Sequence, residues 1–172
     1  MTWLTSFTRD ERGVAALEGA MIGSMLVGAL FNVVEVSRYA YITTQVAAAS
    51  QAGAQAAIVT CDTVKTPVTI NCPAAPAAIE LAVHGTSLGG AVEQATALQE
   101  GWYCLDLSGV LQLMSAANAK PTDCTAAGVP GGLPSLYLQV RVAYEFLPIF
   151  PGLTLTEAFP STIARTAWMR ML

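Results

Sequence analysis

Three groups of residues in this chain have types and spacings that could do chemistry. The first is Glu18, the one carboxylate in an almost unbroken apolar run over residues 14–34, placed five residues past Gly13. An ionised side chain costs at least roughly 2.5 to 3.5 kcal/mol at mid-bilayer and less near its edge, so Glu18 needs either a partner or an interfacial position. The second group is four cysteines, Cys61, Cys72, Cys104 and Cys124, an even number that suits two disulfides in an oxidising compartment. The third is Gly85-Thr86-Ser87-Leu88-Gly89, which matches the G-x-S-x-G pattern of a serine nucleophile elbow.

The serine pattern carries little weight. An elbow of that type needs a strand before the serine, a helix after it and a histidine later in the chain, whereas the only histidine, His84, lies just before the motif. His84 reads instead as a surface residue at a helix end, where a cation suits the dipole. Zinc fits the cysteines poorly, because the chain has no C-x-x-C pair and a single histidine. Four cysteines allow three connectivities. Sequence neighbours, Cys61 with Cys72 and Cys104 with Cys124, are the preferred pairs because both intervening loops are short and rich in Pro and Gly. Loops of that size give roughly 3 kcal/mol each in the chain-entropy model. Trp102, Tyr103 and Trp168 could form a binding surface, but aromatic packing inside a small sheet domain is the commoner fate.

The apolar run spans about 21 residues, and at a rise of ~1.5 Å per residue its helix is ~31 Å long, enough to cross the hydrocarbon of a bilayer. Arg9 and Arg12 precede it and favour an N-terminus in the cytoplasm, with the remainder extracytoplasmic. A removable secretory signal is the alternative. The run exceeds the usual ~7 to 15 residue apolar region, and Glu35-Val36-Ser37-Arg38-Tyr39-Ala40 is not a small-residue cleavage site. Residues 35–58 contain no proline and one glycine, Gly53, so one continuous helix of roughly 45 residues is expected. Its packed stripe is read as Val36, Ala40, Ala47, Ala54 and Ile58, with Glu35, Arg38, Thr44, Gln45, Gln51 and Gln55 offset from it.

The expected organisation is a cytoplasmic leader over residues 1–13, a transmembrane helix over 14–34, its extension over 35–60, and a disulfide-stabilised extracytoplasmic domain over 61–172. Within the last part, Pro67, Pro73 and Pro76 interrupt helices. A brief helix is expected over 76–84, with Ile79, Leu81 and Val83 apolar, and residues 88–100 are ambiguous. A strand is expected over 101–107 and a loop over 116–134. Residues 136–146 alternate apolar and polar with period two, the clearest strand in the chain. A short extended segment at 153–157 and a last strand at 161–171 complete an α+β fold, a long N-terminal helix on a small antiparallel meander. After residue 34 there are six basic and nine acidic side chains without a basic cluster, which argues against nucleic-acid binding. No cofactor, metal or catalytic group is expected.

Cutting the chain after Gly13 would make Val14 a free amino terminus and Glu18 the fifth mature residue, at the head of an apolar helix. This arrangement resembles the type IV prepilin signal. The start, Thr8-Arg9-Asp10-Glu11-Arg12-Gly13-Val14-Ala15-Ala16-Leu17-Glu18-Gly19-Ala20, is similar to the TadE-like minor pseudopilins of tight-adherence pilus systems, with Gly19 where that family often has an aromatic residue. The end resembles the same family over Val140-Arg141-Val142-Ala143-Tyr144-Glu145-Phe146-Leu147-Pro148, Leu153-Thr154-Leu155 and Met169-Arg170. The resemblance implies a pilin-like fold and a non-enzymatic subunit that assembles through its helix. Glu18 would neutralise a neighbouring subunit's N-terminal amine, and Gly19, Gly23 and Gly28 would allow close helix approach. It implies as partners a prepilin peptidase, other pilin-like subunits, the inner-membrane assembly platform and the lipid bilayer. The alternative is an uncleaved, membrane-anchored extracytoplasmic interaction module of a secretion or envelope complex.

Overall fold

The computed structural model describes residues 12–61 and 66–172. The arm with Arg9, Asp10 and Glu11, and residues 62–65 of the loop between Cys61 and Cys72, lie outside the described residues. The fold is α+β, with a long N-terminal helix and a five-stranded antiparallel sheet. The chain divides into two compact units. One contains residues 12–40 and Leu147–Pro160, the other Tyr41–Phe146 and Ser161–Leu172.

Helix α1, Arg12–Cys61, contributes to both. Its sequence is free of proline and rich in alanine, so nothing breaks the hydrogen-bond ladder before Cys61. Polar side chains along it turn back on their own backbone. Ser24 Oγ donates to the Met21 carbonyl at 2.8 Å and Asn32 Nδ2 to that of Gly28 at 2.9 Å. Such local bonds satisfy the hydroxyl and amide groups within the helix itself.

In the sheet-bearing unit the buried residues of α1 are Ile42, Val46, Ala49, Ser50, Gly53, Ala54, Ala57 and Cys61. Three- and four-residue steps make this one helix face. The expected stripe is therefore corrected: Val36 and Ala40 are exposed, Ala47 and Ile58 are half-buried, and only Ala54 falls on the packed face. Gly53 marks the closest approach. A Cβ built there would lie 3.0 Å from Val83, 3.2 Å from Ile79 and 3.2 Å from Val140.

Those neighbours belong to α3 (Ala75–His84) and β4 (Ser135–Glu145). On α3, Ala75, Ile79 and Val83 are buried at steps of four, whereas Leu81 faces outward. The short helix α2, Val68–Asn71, has its first amides held by Glu100: Oε1 accepts from Val68 N at 2.9 Å and Oε2 from Thr69 N at 2.8 Å.

The remaining strands are β1 (Val92–Gln94), β2 (Gln99–Leu105), β3 (Leu111–Ala116) and β5 (Thr162–Arg170). The sheet is not the simple meander expected. β4 pairs with β5 along one edge, while its other edge is shared by β2 at Ser135 to Gln139 and by β1 at Val142 to Tyr144. β3 lies outside β2, a strand the sequence pattern does not signal. The alternation of β4 is as expected, with Leu136, Leu138, Val140 and Val142 in the core. A turn joins β2 to β3: Asp106 accepts from Ser108 and Val110, and Gly109 takes a φ of 81° that most side chains resist.

Candidate functional site

Gly13, Val14 and Glu18 lie in the opening turns of α1, and all three are exposed. Val14 and Glu18 are four residues apart and so share a helix face. Val14, Leu17, Met21, Ile22, Met25, Leu26 and Leu30 are exposed around the rest of the circumference. A Cβ at Gly13, Gly19, Gly23 or Gly28 would meet nothing within 4 Å. This helix is long and apolar enough to cross a membrane, and its most apolar stretch has no buried residue. An all-round apolar surface of this length requires lipid or other helices about it.

A second cluster lies where the apolar run ends, between α1 and the segment Leu147–Pro160. Glu35 is 0% exposed. Its Oε1 accepts from the Ile149 amide at 3.0 Å and from Arg38 Nη1 at 3.4 Å. Arg38 Nη1 also donates to the Leu147 carbonyl at 2.8 Å, and Glu35 Oε2 has no hydrogen-bond partner among the described residues. One turn earlier, Asn32 Oδ1 accepts from the Leu155 amide at 2.8 Å. Phe31 stacks on Phe150 with centroids 4.4 Å apart, and Tyr39 meets Phe159 at 5.0 Å. Residues 31–39 of the helix thus hold the segment by two amides, one carbonyl and two aromatic contacts.

The sequence pattern does not reveal this cluster: it sets Glu35 among the polar residues offset from the packed stripe, whereas the structure buries it. Two signals were available. Glu35 and Arg38 form an i,i+3 ion pair at the end of the apolar run, and residues 147–160 carry one charge, Glu157. The segment at 153–157 is also corrected, since Leu155–Ala158 is a 3-10 turn rather than an extended strand.

The other residues singled out by sequence fall elsewhere. Cys61 is bonded to Cys72 and Cys104 to Cys124, with Cα atoms 5.7 and 5.6 Å apart. The first bridge ties the end of α1 to the chain beyond α2, and the second ties β2 to the loop after β3. Ser87 is exposed in a turn that follows α3, the reverse of a strand–serine–helix elbow, and its Oγ donates to Gln45 Oε1 at 2.6 Å. Exposed His84 ends α3.

Trp102 is buried, its Nε1 donating to the Ala117 carbonyl at 3.1 Å. Tyr103 meets Trp168 and Tyr137 edge-on at 5.2 and 5.9 Å on the other sheet face, and burial pushes its phenol above the usual value. Among the described residues no group of three or more His, Cys, Asp or Glu is placed to hold a metal ion. No protein-family model, curated protein or solved structure matches this chain. The site's own chemistry therefore carries the functional reading.

Proposed function

We propose that the chain is a pilin-like structural subunit, a minor pseudopilin of the TadE-like kind, anchored by α1 in the inner membrane with its sheet domain extracytoplasmic. A prepilin peptidase cuts after Gly13. The freed helix then joins an assembly of like helices, possessing a carboxylate near its head to answer a neighbour's terminal amine.

The observation that carries this reading is the first part of α1, apolar and exposed on every face, with Glu18 one turn past Val14. Open glycine positions along the same stretch suit close helix approach. The domain that follows carries two disulfides, which suits an oxidising exterior. The role is non-catalytic.

Glu18→Ala tests the proposal in cells that carry the assembly machinery. The variant should reach the membrane at the wild-type level while its cross-linking to other pilin-like subunits falls tenfold or more. Wild-type assembly of Glu18→Ala would overturn the proposal in favour of an uncleaved anchored module.

A further inference from the structure

We propose that the segment Leu147–Pro160 is itself a lipid-embedded element, a strap that seats in the bilayer's interfacial zone beside the end of the apolar run of α1. The inference rests on α1 being a membrane anchor and adds a second membrane contact to it.

Three observations carry it. The first is depth. The strap is pinned to Phe31, Asn32 and Glu35, which stand at the close of the apolar run over residues 14–34, so it lies level with the last lipid-facing turns of the helix. The second is its polarity, which is reversed from that of a water-facing loop. Leu147 (68%), Leu153 (64%) and Leu155 (69%) point outward, as does Ile149. Thr154 and Thr156 turn inward, buried, with their hydroxyls 2.8 Å apart. Leu30, Val33 and Val34, beside the helix residues that hold the strap, are exposed as well. An apolar patch that extends a membrane-spanning surface takes the same occupant, acyl chain.

The third observation is the accounting of backbone donors. Irregular backbone at membrane depth is tolerated where its polar groups are satisfied by protein. Pro148, Pro151 and Pro160 have no N–H to satisfy. Ile149 N is taken by Glu35 and Leu155 N by Asn32. Gly152 N is taken by the exposed Glu157, Leu153 N by the Phe150 carbonyl and Phe159 N by that of Thr156, so five of the strap's eleven N–H groups have a named acceptor. On this reading the buried Glu35 and Asn32 are present to supply acceptors that lipid cannot.

The test uses the full chain in phosphatidylethanolamine–phosphatidylglycerol vesicles, with an environment-sensitive fluorophore on a single introduced cysteine. Leu155→Cys reports the strap, Met25→Cys the helix and Leu107→Cys the sheet unit. Leu153→Cys is a second strap position, also outward-facing. Spin-labelled lipid should quench the strap and helix labels at least twofold and leave the Leu107→Cys label unchanged. Quenching at Met25→Cys without quenching at either strap position would overturn the strap and leave the anchor standing. No quenching at Met25→Cys would remove the anchor and the strap with it. Strap labels shielded from lipid, but self-quenching in a way that dilution of the protein relieves, would overturn the lipid assignment in favour of a second copy of the chain.

Discussion

The amide of Ile149 donates to Glu35 Oε1 at 3.0 Å, joining residues 114 positions apart around a carboxylate with no exposed surface. This bond, with that of Leu155 to Asn32, fixes the segment after β4 against α1. Removing the acceptor leaves a part-buried N–H unpaired, at up to about 1–3 kcal/mol.

Glu35→Ala should therefore loosen the strap without unfolding the sheet unit. Hydrogen exchange at the Ile149 amide is expected to accelerate by about 10- to 100-fold, since each factor of ten is about 1.4 kcal/mol. Glu35→Gln keeps an acceptor oxygen and should accelerate it less. Unchanged exchange in Glu35→Ala would show that the carboxylate does not hold the strap.

Gly53 sits where α1 meets α3 and β4, with Val83 and Val140 already at contact distance from a built Cβ. Gly53→Val must displace them, and overpacking of this sort costs about 1–3 kcal/mol. Thermal unfolding of the sheet unit should shift down by on the order of 5–15 °C. A midpoint equal to that of wild type would mean the helix does not pack there.

Asp106 anchors the turn between β2 and β3, and its pKa is lowered to about 2 by hydrogen bonds from the Ser108 hydroxyl, the Val110 amide and the Gln112 side chain. A carboxylate whose folded pKa is depressed stabilises the fold above its ordinary value and loses that contribution as pH falls toward the folded one. Its share of stability is thus complete above about pH 4 and lost as pH falls to about 2. The unfolding midpoint of wild type should drop across that window more steeply than that of Asp106→Asn. Parallel curves for the two proteins would contradict the assignment.

The parts legible in the sequence were those with strong contrast. Leu136, Leu138, Val140 and Val142 alternate with bulkier or polar neighbours, and burial follows the same alternation. Continuity of α1 followed from an absence of proline. The face that α1 packs was less visible, because alanine lies on several faces of residues 40–58 and offers little hydrophobic difference between them. Strand β3, Leu-Gln-Leu-Met-Ser-Ala, has no regular alternation and none of its residues is fully buried, so periodicity had nothing to register. Leu153-Thr154-Leu155-Thr156 does alternate, yet its leucines face out and its threonines in. The rule that reads such a pattern as a strand turns the apolar set inward, whereas here a 3-10 turn and the paired Thr154 and Thr156 hydroxyls turn the threonines inward. Glu35 is hidden from sequence for a different reason: polarity alone does not tell a solvated carboxylate from one buried to pair a distant backbone.

The pilin-like reading is tested most directly by the intact mass of the non-reduced, detergent-extracted protein from cells with an active prepilin peptidase. A chain that begins at Val14 and lacks the four thiol hydrogens of two disulfides is the predicted result. A mass that still contains residues 1–13 would contradict it.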